Sequence, residues 1–285
     1  MGLNIKNLLT RSLSGLVYVG LIVACIFGGM IPFCCLLILF GILAIIEFHS
    51  LCDDKSNISE RMIPILFDIA GVICLIFSWM IIPIFLWILF YIFRLVAELY
   101  LNNSNPVKNI SQSIMTQFYI GVPLACACWI GLNISLHFIL AVFLMIWIND
   151  TGAFLVGCSF GKHRLFERIS PKKSWEGFFG GLAFNLLAGW LFCIGGEYFW
   201  SMPWNVVCWI IFGAIVTIFA TWGDLIESLI KRSLNVKDSG KLIPGHGGIL
   251  DRIDSLLLVF PATLLYILIT MGEKLNFPLS TVFPL

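Results

Sequence analysis

Nine apolar runs constrain this chain more than any other feature. They lie at about 13–30, 32–48, 63–80, 81–97, 118–134, 138–156, 178–195, 205–227 and 256–271. A bilayer core about 30 Å thick is crossed by roughly 20 apolar residues of helix, so nine crossings use about 180 residues. The rest makes connections and tails, with no room for a second soluble domain. The expectation is an all-α, polytopic integral membrane protein with about nine transmembrane helices. Composition agrees: 12% of residues are charged, about half the share of an ordinary soluble domain. That excludes a soluble monomer. The formal net charge of +1 excludes a generally basic nucleic-acid binder.

Topology follows from where positive charge falls in short loops. With the N-terminus in the cytoplasm, 16 of the 17 Lys and Arg residues lie on that side and only Lys274 lies outside. Arg94, near the cytoplasmic end of the fourth run, is expected to snorkel to the surface. The first run has Lys6 and Arg11 before it and reads as an uncleaved anchor. Lys6 stands where myristoylation needs Ser or Thr. The ten cysteines sit mostly inside the runs and read as small core hydrophobes. Residues 1–135 read as a transmembrane scaffold. Residues 136–285 read as a catalytic transmembrane domain with two cytoplasmic polar segments, 157–177 and 228–255.

The first polar cluster begins with Asn149 and Asp150, in the cytoplasmic half of the sixth run. An acid there needs a partner, water or a metal. Gly157, Gly161 and Lys162 are spaced too closely for a phosphate loop, and His163 stands where Ser or Thr belongs. Ser170 and Pro171 are expected to cap and open the seventh helix. Lys172 and Lys173 at such a helix start would attract phosphate, with Glu176 close by.

The second cluster is denser. Asp224, Glu227, Ser228 and Lys231 recur at i, i+3, i+4 and i+7 and share one helix face. Arg232 follows, then a Gly- and Pro-rich loop with Lys237, Asp238, Lys241, His246, Gly247 and Gly248. Asp251, Arg252 and Asp254 open the last run. Asp224, Asp251 and Asp254 are expected to converge from two helices. Aspartates without His or Cys suit a hard cation such as Mg²⁺, which also takes substrate phosphate oxygens. Carboxylates for a metal and cations for phosphates are what phosphoryl or nucleotidyl transfer needs.

The 27 residues from Ser228 to Asp254, with Ile230-Lys231-Arg232, Lys237-Asp238, Gly240, Ile243-Pro244, His246-Gly247-Gly248-Ile249 and Asp251-Arg252-Ile253-Asp254, resemble the full signature of the phosphatidate cytidylyltransferases. Asn149-Asp150 and Ser170-Pro171-Lys172-Lys173-Ser174 with Glu176-Gly177 are similar to that family's other motif. The resemblance is strong over about 149–255 and general elsewhere. It implies the reaction of phosphatidate with CTP to give CDP-diacylglycerol and pyrophosphate, in the cell's inner membrane with the site facing the cytoplasm. In that reading Asp224 and Asp251 hold Mg²⁺, with Asp254 as a further ligand or a partner of one. Lys172, Lys173, Lys231, Arg232 and Arg252 neutralise phosphates. Lys237, Lys241, His246, Gly247 and Gly248 cover the triphosphate. Asn149, Asp150, Ser170, Glu176, Glu227, Ser228 and Asp238 complete the substrate site. Lys231 joins the three aspartates in the catalytic set. The resemblance also suggests a second cation, K⁺, and a homodimer. Two alternatives remain open from sequence: a secondary transporter and a CTP-dependent polyprenol kinase. The first fits poorly, since transporters place their sites near the midplane between repeats, and no repeat is visible here.

Overall fold

The computed structural model describes residues 5–52, 58–101, 105–240 and 247–272, with side chains left out for 5–12 and 58–61. Lys241 and His246 lie outside the described residues, as does Lys274. Each apolar run is helical. In chain order the helices are α1 (Ile5–Phe27), α2 (Met30–Cys52), α3 (Ile58–Ile76), α4 (Ile81–Glu98), α5 (Pro106–Met115), α6 (Val122–Asn133), α7 (Leu136–Phe160), α8 (Trp175–Trp200), α9 (Val206–Ser233) and α10 (Leu250–Met271). A π-helical turn, Thr116–Gly121, joins α5 to α6. Pro123 comes two residues after it and has no N–H to give to the preceding turn.

Among the described residues, seven helices are long and apolar enough to cross a bilayer: α2, α4, the continuous 106–133 segment, α7, α8, α9 and α10. Leu13–Phe27 and Met62–Ile76 are shorter apolar helices. The molecule is thus an all-α, polytopic integral membrane protein, with seven such helices and two shorter ones where nine full crossings were expected. Many large apolar side chains are exposed, among them Phe85, Leu89 and Phe93 of α4 and Trp190 and Ile194 of α8. Lipid, which is as apolar as they are, accounts for them.

The core is one cluster running from Ile22 and Phe33 through Ile120, Phe138 and Phe212 to Phe260. On the C-terminal side, α8 packs between α7 and α9, and α9 packs on α10. The close approach of α9 to α10 depends on Gly223, where a Cβ would run into the backbone of Asp254 and Ser255. Antiparallel packing brings the end of α7, the start of α8, the end of α9 and the start of α10 to one edge.

Two local expectations are corrected. Residues 170–174 do not open α8. Ser170–Ser174 is a strand, β2, paired antiparallel with β1, Arg164–Phe166. Ser170 precedes a proline, and that position is pushed towards extended backbone. The cap of α8 is Ser174, whose side chain accepts from Gly177 N. Arg94 does not snorkel. It is 2% exposed, paired with Glu98 at 2.8 Å, and donates to Ser113 Oγ at 2.9 Å and to Asn109 O at 3.3 Å. All ten cysteines are free; Cys126 and Cys128 are buried in the core, six are half-buried, and Cys35 and Cys158 are exposed.

Candidate active site

The acidic face of α9 survives into three dimensions. Asp224 Oδ1 accepts from Ser228 Oγ at 3.2 Å. Glu227 pairs with Lys231 one turn on. Glu227, Ser228 and Lys231 are buried, while Asp224 keeps 37% of its side chain exposed. Lys231 Nζ also meets Asp251 Oδ1 of α10 at 2.5 Å, which ties the two helices together.

Asp251 is saturated by the chain itself. Its second oxygen accepts from Ser239 N at 3.0 Å, Ser239 Oγ at 2.9 Å and Gly248 N at 2.8 Å. Gly247 makes this loop possible with φ +83°, a conformation in which a side chain is strained. Asp254 lies differently. Its electrostatic neighbours are Asp224, Glu227 and Asp150, and its hydrogen bond is to Ser255 N at 2.6 Å. Asp150 of α7 is therefore an electrostatic neighbour of Asp224 and Asp254 at the helix ends.

Cations border the group on one side. Lys173 Nζ pairs with Asp224 Oδ2 at 2.6 Å. Lys172 and Lys173, with Asn149, Asp150 and Asp224, line a cavity of about 400 Å³ whose remaining wall includes Phe154, Leu165 and Phe178. A second cavity of about 200 Å³ lies between α1, α7 and α10, lined by Tyr18, Trp147, Asp150, Arg252 and Asp254 among others. Asp150 borders both.

Other expected residues act on the chain itself. Glu176 accepts from Lys162 N at 3.1 Å and His163 N at 3.1 Å, and meets His163 Nδ1 at 2.6 Å. It holds the α7–β1 connection against the start of α8. Arg232 donates to Val236 O at 3.1 Å and to Ile169 O at 3.4 Å, linking the end of α9 to the hairpin. Lys237 and Asp238 are exposed, and Ser170 is half-buried.

Two residues of the N-terminal half reach this edge without having been singled out from sequence. Tyr18 OH donates to Arg252 O at 3.0 Å. Glu47 of α2 accepts from Ile249 N at 2.7 Å and meets Ser239 Oγ. Glu47 had a readable signal: it is the only charged residue between 13 and 48, and an acid in an apolar span is a functional candidate by default. Tyr18 had none.

The donor chemistry fits a hard divalent cation. The facing groups are carboxylates, and Glu227 Oε1 is buried without a hydrogen-bond partner among the described residues. No three acidic, His or Cys groups among the described residues form a ready cage. Mg²⁺ is commonly bound through one or two carboxylates, with water and substrate phosphates supplying the rest of its shell.

Acids opposed by lysines beside an apolar cavity thus lie at one edge of a bundle of membrane-spanning helices. Comparison with known proteins is specific. The model of the cytidylyltransferase family matches residues 9–270, so the chain belongs to that family. A Staphylococcus aureus protein named phosphatidate cytidylyltransferase is 48% identical over 129 residues, covering 45% of this chain and 47% of that protein. Proteins of the same name from Staphylococcus saprophyticus and Staphylococcus haemolyticus are 45% and 46% identical over 129 and 127 residues, with the same coverage. The matched stretch spans about half the length of these curated relatives.

Proposed function

We propose that this protein transfers a cytidylyl group from CTP to phosphatidate, giving CDP-diacylglycerol and pyrophosphate for phospholipid synthesis. The observation that carries this reading is the cavity in which Lys172 and Lys173 face Asp150 and Asp224 beside an apolar wall. One substrate is a lipid whose phosphate is confined to the membrane surface. The other is a soluble polyanion. A site at the edge of the bundle meets both. The charge distribution along the sequence supports an inner-membrane location with this edge towards the cytoplasm, where CTP is found.

A phosphatidate oxygen attacks the α-phosphorus of CTP. The new P–O bond forms as the bond to the β-phosphate oxygen breaks, and pyrophosphate leaves with the electron pair. The attacking phosphate is already ionised near neutral pH, so no strong base is needed. Lys172 and Lys173 hold phosphate oxygens against the apolar wall that takes the lipid. Lys231, gripped by Glu227 and Asp251, is a fixed positive charge whose position is set before substrate binds. Asp224 and Asp254 would hold Mg²⁺; Asp251, the third acid expected there, is engaged by Lys231, Ser239 and Gly248 and would reach the ion only through those contacts. When bound, Mg²⁺ shields phosphate charge and polarises the phosphoryl oxygens.

The test is the fate of label from CTP in purified protein supplied with phosphatidate and Mg²⁺. Label at the α-phosphate should appear in the lipid fraction, and label at the γ-phosphate should stay in water as pyrophosphate. Lipid labelled only from the γ-position would establish a kinase instead. Lipid labelled from neither position would overturn transfer altogether.

A further inference from the structure

The edge that carries the acids is completed from the far end of the sequence. Glu47 sits near the end of α2, 8% exposed. One of its oxygens accepts from Ile249 N at 2.7 Å, and the other meets Ser239 Oγ. Leu250 N also bonds to this carboxylate. These groups lie some 200 positions away in the chain, at either end of the Gly-rich loop.

Helix α10 needs such a partner. Its first N–H groups have no intrahelical acceptor, and its cap residue, Ile249, supplies no side-chain hydrogen bond. A carboxylate at a helix N-terminus satisfies those donors and the helix dipole together. The fit is close: at Gly240 and at Gly248 an added Cβ would collide with the Glu47 carboxylate. Two glycines of the motif are therefore accounted for by Glu47 rather than by a ligand.

The contact leads directly to the acidic group. Ser239 Oγ touches Glu47 on one side and Asp251 Oδ2 on the other, at 2.9 Å. Asp251 in turn holds Lys231, and Lys231 holds Glu227. A continuous chain of polar contacts runs Glu47, Ser239, Asp251, Lys231, Glu227. We propose that Glu47 is a positioning residue for the transfer reaction: it fixes Ser239 and the start of α10 so that Asp251 and Lys231 are held where the phosphates must bind. This inference rests on the proposed cytidylyl transfer for its kinetic readout, and on local structure for a second one.

The substitutions are Glu47→Ala and Glu47→Gln. Gln keeps an oxygen for Ile249 N and an amide within reach of Ser239. Glu47→Ala should lower kcat by about 10- to 100-fold, the scale for losing a partner that orients a working group, with KM for CTP within about threefold. Glu47→Gln should recover most of that loss. The double variant Glu47→Ala with Ser239→Ala should lose no more than the worse single variant, because both act through one contact. Equal kcat in Glu47→Ala and the unaltered protein, per folded molecule, would overturn the proposal, as would additive losses in the double variant. Hydrogen exchange of the amides at 247–252 in membranes reads the latch without any turnover. It should quicken in Glu47→Ala and not in Glu47→Gln. Unchanged exchange sinks the latch even if the protein catalyses a different reaction. Fast exchange in Glu47→Ala, from a protein that moves no cytidylyl group, sinks only the reaction.

Discussion

Buried charge occurs in two regions of this molecule, and it is arranged in opposite ways. Between His49 and Gln117 the buried ion pairs are closed on themselves. His49 and Asp68, each 2% exposed, meet at 2.8 Å. Gln117 donates to Asp68 O at 3.1 Å and accepts from Trp87 Nε1 at 3.1 Å. Arg94 and Glu98 pair one turn apart, and Asn109 donates to Glu98 at 3.1 Å. At the C-terminal edge, by contrast, Asp150, Asp224 and Asp254 are electrostatic neighbours of one another and border cavities. Burial of an ionisable group therefore does not mark a site by itself. Excess of one sign beside open space does.

Three substitutions probe this contrast. The largest effect is expected at the open edge. Asp224→Asn should cut turnover by about 100- to 1,000-fold, the scale for losing one preorganised electrostatic contact in a transition state. The amount of folded protein in membranes should not change, because Asp224 is partly exposed. Steady-state kinetics with α-labelled CTP and a thermal melt in detergent check both halves. Turnover close to that of the unaltered protein would take Asp224 out of the site.

Next comes Arg94→Ala, in the closed region. It removes the cation paired with Glu98 and the donors to Ser113 and Asn109. Breaking a buried pair in this way costs about 3–5 kcal/mol. The melt should fall sharply, while turnover per folded molecule stays the same. A fall in kcat with an unchanged melt would show that the N-terminal half does more than support.

The smallest effect belongs to Trp87→Phe, which deletes one interhelical hydrogen bond to Gln117. Such bonds average about 0.6 kcal/mol in membranes. A melt and a turnover number close to those of the unaltered protein are expected. A large kinetic change would contradict a closed network.

What the sequence made legible follows the range of the interactions. Apolar runs are local, and each became a helix. The spacing of Asp224, Glu227, Ser228 and Lys231 is local too, and their shared face holds. The extended backbone at Ser170–Ser174 depends on pairing with Arg164–Phe166, so the Pro171 cue pointed to a helix start that lies four residues further on. Arg94 read as surface-seeking because its partners Ser113 and Asn109 come from a different helix. Glu47 was passed over because its partners lie at 239 and 249. For the same reason, residues 1–135 read as a scaffold although Tyr18 and Glu47 touch the motif region.

The account depends most on the acids at the open edge holding a divalent cation that the closed acids do not. Manganese can stand in for magnesium, and its paramagnetic resonance can be followed as protein is added with CTP present. The account predicts one bound ion that is lost in Asp224→Asn and kept in Asp68→Asn. Binding that survives Asp224→Asn, or disappears in Asp68→Asn, would contradict it.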